Sequence, residues 1–277
     1  MNMAARPTWS GFLQISLVSI GVKIYPASTT GRQVQFHEID RRTHRRVHHR
    51  NVDDRGEVDR ADIVKGYEYA RGKFIEIDPE ELRSLRMATA TAVQIQQFVK
   101  ADELSRELFE RPYFVAPKDK AQAKALAIMS RALTETETLG IGKVAFSGRE
   151  HLVAIGAPEV PKQKGPMLYV LRFAEELRES KSALSVIPDV SISSQELSLA
   201  KQLINGSTSQ FDLSAYHDEY EAAVRKLVDA KRKGKPLPEP EAEAPRPKVV
   251  NIMDALRRSL QTAKTPARKT SRRKKAA

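Results

Sequence analysis

Residues 40–62 contain almost nothing that could enter a core: beyond Val47, Val52 and Val58 hardly anything in the stretch is apolar. A segment of this length without core residues cannot form part of a packed wall, so the fold must expel it as an insertion or protruding arm. Its first half, residues 41–50 (RRTHRRVHHR), holds five arginines and three histidines and no acid. The tail, residues 264–277 (KTPARKTSRRKKAA), adds seven basic residues, again without an acid. The formal charge of the chain is +12, so subtracting 5 and 7 leaves a body that sums to zero. Charge concentrated in two places on a neutral body is the footprint of a polyanion binder. Five arginines in ten residues also repel one another unless an anion arrives.

At 277 residues the chain is long enough for a sizeable core in one large domain or two smaller ones. It has no cysteine, which excludes disulfides and thiolate metal sites and fits a reducing cytoplasm. No apolar run is long enough for a bilayer, and Gln14, Ser16 and Ser19 interrupt the N-terminal apolar segment, so neither a membrane span nor a signal peptide is expected.

Residues 12–25 (FLQISLVSIGVKIY) alternate as a strand, with Leu13, Ile15 and Leu17 on one face. The phase then slips by one to Val18, Ile20, Val22 and Ile24, which predicts a bulge or sharp bend in a curved sheet. Val34 and Phe36 restart a strand leading into the arm. Tyr67, Tyr69, Phe74, Ile75 and Ile77 predict a hairpin turning at Ala70-Arg71-Gly72, and Asp78-Pro79-Glu80-Glu81 opens a short helix. Further strands are predicted at residues 91–99, 113–115 and 167–173, with an amphipathic helix over 120–136 ended by Gly140 and Gly142. Residues 143–155 form the clearest hairpin, around Ser147-Gly148. Many short strands with few helices favour an antiparallel barrel. Beyond Ser180 the pattern turns helical. A capping box at Ser193 and Glu196 opens a helix through Ile204 that Gly206 stops, and a second helix spans 216–233 before Gly234. Residues 235–248 hold five of the fifteen prolines and read as an extended linker. Val249, Met253, Leu256 and Leu260 then make one apolar stripe, too short to persist undocked, ahead of a tail expected to be disordered when free.

Catalytic chemistry is hard to assemble. Gly140-Ile141-Gly142 lacks the continuation of a phosphate loop, and Ser147, Glu150 and His151 sit where turn chemistry already explains Ser-Gly. His44, His48 and His49, followed by Asp53 and Asp54, lack the cysteines usual in structural zinc sites, and the arginines between them would repel a cation. No cofactor or metal is expected. The arm has no interleaved aromatics for stacking on RNA and no recognition helix for base edges. Arginines on an extended arm suit phosphates, which supply affinity without sequence information, so sequence-independent binding of duplex DNA is expected.

Several segments, in this order and spacing, carry a resemblance: the opening WSGFLQISLVSIGVKIY from Trp9, Val34-x-Phe36-His37, DIVKGYEY from Asp62, Arg111-Pro112-Tyr113-Phe114, Gly148-Arg149-Glu150-His151-Leu152, and Tyr216-His217-Asp218-Glu219-Tyr220. Together they resemble the bacterial Ku proteins of non-homologous end joining. The resemblance runs to about Gly234. It implies an α+β chain with a seven-stranded-type antiparallel barrel core, a DNA-bridging arm at about 34–65 and a helical C-terminal arm. It also implies a homodimer whose arms close over a DNA end, no intrinsic enzymatic activity, and recruitment of a multidomain ATP-dependent DNA ligase. The boundaries expected are a barrel with its arm over 1–185, a helical arm over 186–234, a linker over 235–248, and a short helix with basic tail over 249–277. Many relatives carry a Cys-x-x-Cys pair in the arm, where this chain reads HHRNVDDRG from His48.

From composition, the residues expected on DNA are Arg41, Arg42, Arg45, Arg46, Arg50 and Lys65 in the arm. In the tail they are Lys264, Arg268, Lys269, Arg272, Arg273, Lys274 and Lys275. Partner contacts are expected at Tyr216, Tyr220, Met253, Leu256 and Leu260. The alternatives are a DNA-processing enzyme with a metal at the His/Asp part of the arm, and a general basic DNA-coating protein.

Overall fold

Seven strands close into a barrel. The computed structural model describes residues 6–29, 34–84, 91–158 and 163–236. In the barrel β1 is Trp9–Ile15, β2 Val18–Pro26, β7 Ala92–Lys100, β8 Phe109–Pro117, β9 Thr138–Phe146, β10 Arg149–Gly156 and β11 Met167–Leu171, and the short helix α1 (Pro79–Ser84) precedes β7. The strand order around the barrel is β1-β2-β8-β11-β10-β9-β7. All neighbours are antiparallel except β1 and β7, which run parallel and complete the closure.

The inward positions of the strands fill the interior: Leu13, Ile20, Val22, Ile24, Val93, Tyr113, Val115, Val144, Phe146, Val153, Ile155, Leu168 and Val170 form one buried cluster. Helix α2 (Ala123–Thr136) covers it with Leu126 and Leu133, and the Gln122 side chain at its start accepts from the Gly21 N–H of β2 (3.1 Å). A second, smaller cluster lies on Ile141, Ala154 and Leu171, with Leu104, Leu108, Phe109 and Tyr169 packed on it. Arg172 fastens that layer by donating to the carbonyl oxygens of Glu107 (2.7 Å) and Phe109 (3.1 Å).

Four expectations need correction. Residues 12–25 are a tight hairpin rather than one bent strand, with Ser16 at φ 50° and Leu17 99% exposed in the turn. Each pair in this hairpin sums to 33, as in Leu13↔Ile20, so odd positions on β1 face even positions on β2. That parity change is the one-residue phase slip in the sequence. Val34 and Phe36 form no strand, and the nearest ladder contact is the isolated bridge Ile39↔Arg46. Helix α2 ends at Thr136 with Glu137 in the left-handed region, while Gly140 and Gly142 lie inside β9. Gly142 is there because β7 bulges between Ile95 and Gln97, and a Cβ at position 142 would sit 2.2 Å from the Gln94 carbonyl oxygen. Finally, α4 (Ser194–Ser207) runs through Gly206, and α5 (Glu219–Arg232) starts three residues after Tyr216.

The chain divides between Glu179 and Ser180 into two compact units. The second contains α3 (Ser180–Leu184), α4 and α5. The Ser193 hydroxyl accepts from the Glu196 N–H (3.2 Å) and the Glu196 carboxylate from the Ser193 N–H (2.8 Å), the capping box read in the sequence. Asp218 caps α5 through the Glu221 N–H (2.8 Å).

Gly142→Ala is expected to lower stability by about 1–3 kcal/mol, because the neighbour it meets is backbone that cannot swing aside. Gly206→Ala, where no atom lies within 4 Å of a Cβ, is expected to be neutral or slightly stabilising. Urea unfolding of both variants checks the contrast, and equal midpoints would contradict the close approach at β7.

Candidate nucleic-acid interface

Between β2 and β7 the chain leaves the barrel. From Val34 to Leu82 not one residue is buried, and only Val34, Asp40, Val58 and Ile77 are even half-buried. Exposure therefore continues well past Lys65. The segment is built from small hairpins that pair only with themselves: β3 (Val52–Asp53) with β4 (Gly56–Glu57), and β5 (Lys65–Ala70) with β6 (Lys73–Ile77).

With no core to organise it, the arm is held by short side-chain acceptors on its own backbone. Residues 38–47 form a first reversal, closed by the Asp40 N–H donating to the Arg45 carbonyl (2.9 Å) and the Val47 N–H to that of Glu38 (2.9 Å). The His44 N–H donates to the Asp40 carbonyl (2.7 Å), and His44 takes φ 55°, the left-handed residue that turns the chain back. The Asp40 carboxylate accepts from the Arg42 N–H (2.9 Å) and the Thr43 hydroxyl (2.8 Å), and these two bonds hold it below the usual carboxylate range. Asp53 does the same in the second reversal, accepting from the Arg55 and Gly56 N–H groups (2.8 and 3.1 Å). Asp59 accepts from the Ala61 N–H (2.9 Å) in the third.

The arginines are thereby presented on ordered loops. Arg42 lies 3.9 Å from Asp40, and Arg50 pairs with Glu57 at 2.8 Å. Among the described residues no carboxylate pairs with Arg41, Arg45 or Arg46. Lys65 is exposed at the start of β5, opposite Ile77. The structure therefore places all six arm cations expected on DNA on one exposed segment, with two of them, Arg42 and Arg50, paired with or close to an acid. The acids Asp40, Asp53 and Asp59 were not singled out as organisers from sequence. The signal was present, since Asp two residues before the next backbone donor is the Asx-turn pattern.

The arm histidines are dispersed. His49 lies 3.1 Å from Glu38, Asp53 is occupied by its own turn, and no group of three or more His, Asp or Glu converges for a metal among the described residues. In the second unit Tyr216 and Tyr220 are 71% and 78% exposed, and Tyr216 packs near Phe211 (ring centroids 5.6 Å). Met253, Leu256, Leu260 and the seven tail cations lie outside the described residues. Among the described residues no helix is long and apolar enough to cross a membrane.

A closed barrel with a cationic, self-organised arm defines a protein that offers charge on an exposed surface. A family model described as the Ku70/Ku80 beta-barrel domain matches residues 14–199. A protein of Acidobacterium capsulatum named non-homologous end joining protein Ku is 47% identical over 262 residues, covering 94% of this chain and 86% of its own. Proteins of the same name from Coxiella burnetii (34% identical, 94% and 95% covered) and Archaeoglobus fulgidus (31% identical, 94% and 100% covered) are similar along nearly their whole lengths. The chain belongs to the Ku family.

The Ser147, Glu150 and His151 run is barrel structure. Ser147 (φ 53°) and Gly148 (φ 86°) make the β9–β10 turn, and Glu150 pairs with Lys143 at 3.1 Å. His151 is buried and stacked on Phe146, its centroid 4.3 Å away, with Nε2 3.3 Å from the Phe146 carbonyl oxygen. Burial pushes its pKa below the usual 6.5, helped by Arg149 and Arg111 and opposed by the Phe146 carbonyl and Glu110. The unfolded chain therefore binds this proton more readily than the folded one. The stability contribution is complete above pH 6.5, falls as pH drops through that value, and levels off below the folded-state pKa. Urea midpoints are expected to decline between about pH 7 and pH 5, with a shallower decline in His151→Phe. Parallel curves would show that another group sets the acid sensitivity.

Proposed function

We propose that this protein is a homodimeric clamp that binds the ends of double-stranded DNA without reading sequence and recruits a multidomain ATP-dependent DNA ligase in non-homologous end joining. The observation that carries the reading is the arm, which holds Arg41, Arg42, Arg45, Arg46, Arg50 and Lys65 wholly outside the core and has no element suited to base edges. Such a surface grips the phosphate backbone by charge and shape. The relatives' shared name supplies the biological setting.

Two further features support the assembly. In the second unit Val186, Ile187, Val190, Ile192, Phe211 and Leu213 are all strongly exposed, and apolar side chains in such number call for a covering surface. A second copy supplies one without a further gene product. The ligase is assigned to the exposed Tyr216 and Tyr220 and to the stripe of Met253, Leu256 and Leu260, which is amphipathic and too short to stand alone. The cations Lys264, Arg268, Lys269, Arg272, Arg273, Lys274 and Lys275 act as a tether that adds phosphate contacts without geometry. The fold boundaries that follow are a barrel with its arm, a helical arm, a proline-rich linker, and a terminal helix with a basic tail.

Truncation after Leu260 is expected to weaken binding to every duplex and flatten its dependence on log salt while the dimer persists. An unchanged slope would take the tail off the DNA.

A ring admits duplex only by threading from an end. Linear duplex is therefore expected to compete strongly for the truncated protein, and covalently closed circles of the same sequence poorly until cut once. Arg42→Glu, Arg45→Glu and Arg46→Glu together are expected to weaken threaded binding by roughly a hundredfold or more, since each replaces attraction with repulsion. Equal competition by closed circles would leave a general DNA-coating protein in place of a clamp.

A further inference from the structure

The arm carries an acid at the root of its most basic loop, where simple electrostatics would omit it. Asp40 immediately precedes Arg41 and Arg42, and its charge opposes any phosphate that those arginines attract. Yet both of its carboxylate oxygens are engaged inside the loop. Oδ1 accepts from the Arg42 N–H at 2.9 Å and Oδ2 from the Thr43 hydroxyl at 2.8 Å. The Thr43 oxygen in turn lies 3.4 Å from the Arg45 N–H. The Asp40 backbone closes the same turn from both sides, its N–H donating to Arg45 and its carbonyl accepting from His44. One residue thus fixes the backbone of Arg42, Thr43, His44 and Arg45. No residue of the loop is buried and only Asp40 is half-buried, so packing contributes little to its order.

We infer that Asp40 is the positioning residue of the arm: it holds the loop of Arg41, Arg42, Arg45 and Arg46 in the conformation that meets the DNA backbone. The inference rests on the reading of that loop as a DNA contact. Four neighbouring cations left to themselves spread apart, and an anionic ligand must then order both backbone and side chains on binding. The carboxylate does this ordering in advance. Its benefit is pre-organisation and its cost is one like charge facing phosphate. The two effects predict opposite results for removing it.

The test compares three variants in the full chain, together with the Arg42→Glu, Arg45→Glu, Arg46→Glu reversal. Asp40→Asn keeps an Oδ1 acceptor for the Arg42 N–H but removes the charge. Asp40→Ala removes both, and Thr43→Val removes only the hydroxyl. Binding to a linear duplex of random sequence and amide exchange at Arg42 and Arg45 in the free protein are measured. Asp40→Ala is expected to bind roughly three- to tenfold more weakly than the parent although a negative charge has gone. Asp40→Asn is expected to bind as tightly or tighter, with Thr43→Val between Asp40→Ala and the parent. Exchange at Arg42 is expected to quicken by about tenfold or more in Asp40→Ala and to stay slow in Asp40→Asn. The salt slope of Asp40→Ala is expected to match the parent's, because the same cations reach phosphate once bound.

If Asp40→Ala binds as tightly as Asp40→Asn while the arginine reversal abolishes binding, the arm still holds DNA and only the positioning role falls. If the reversal leaves binding intact, the DNA reading of the loop fails, and the inference fails with it.

Discussion

Closure of the barrel depends on the parallel pairing of β1 with β7, anchored where the Phe12 N–H donates to the Thr91 carbonyl oxygen (3.0 Å). Antiparallel neighbours can be joined by a tight turn, as β1–β2 and β9–β10 are. β2 precedes β7 among the barrel strands but lies on the far side of β1, and the two run antiparallel to each other, so their connection has only to pass the end of β1. The chain between Pro26 and Ala92 is far longer than that step requires, and its surplus from Val34 to Leu82 is the arm. Closure needs a connection there, and the excess length supplies an exposed surface.

A long exposed connection has no neighbouring strand to pair with, so its backbone turns to water or to its own side chains. The arm does so with acids at its turns: Asp40, Asp53 and Asp59 each accept main-chain N–H groups two or three residues ahead. This use of carboxylates reconciles two demands. The segment stays ordered without apolar burial, and its acids are turned inward on the backbone while Arg41, Arg45 and Arg46 face outward unpaired among the described residues. The net charge alone does not reveal this division, because it counts a turn-forming aspartate and a free one alike.

Much of the barrel is legible in sequence because its strands alternate. Val144, Phe146, Val153 and Ile155 flank Ser147-Gly148 as a hairpin should, and the structure turns β9 into β10 there, with Val144 opposite His151 and Val153 opposite Gly142. The capping box at Ser193 is equally local and equally legible. The errors arise where a local pattern serves a distant partner. The phase slip at Leu17 is consistent with a bulge or with a reversal, and Ser-Leu lacks the glycine or asparagine that marks most two-residue turns. Gly140 and Gly142 look like helix stops, yet Gly142 is required by a bulge in β7 some forty-five residues earlier in the chain (about 142 less 97). In the arm, cations are visible as composition, while the turns that aim them are pairwise geometry. The histidines illustrate the limit: His44, His48 and His49 are close in sequence, but His44 occupies a left-handed turn position and His49 pairs back to Glu38.

Because each reversal of the arm is closed by its own residues, the barrel and the arm are free to change separately. A substitution in residues 34–82 falls on no buried residue, so its cost to the barrel is small whatever it does to the surface. The barrel tolerates less by comparison, since Gly11, Gly142 and Gly165 each face a carbonyl oxygen that a methyl group could not clear. Such a partition lets a lineage retune the reach, charge or chemistry of its projecting segment one turn at a time. The run HHRNVDDRG from His48, with Asp53 closing its turn, lies wholly outside the strands of the wall, so a change of chemistry there disturbs none of them.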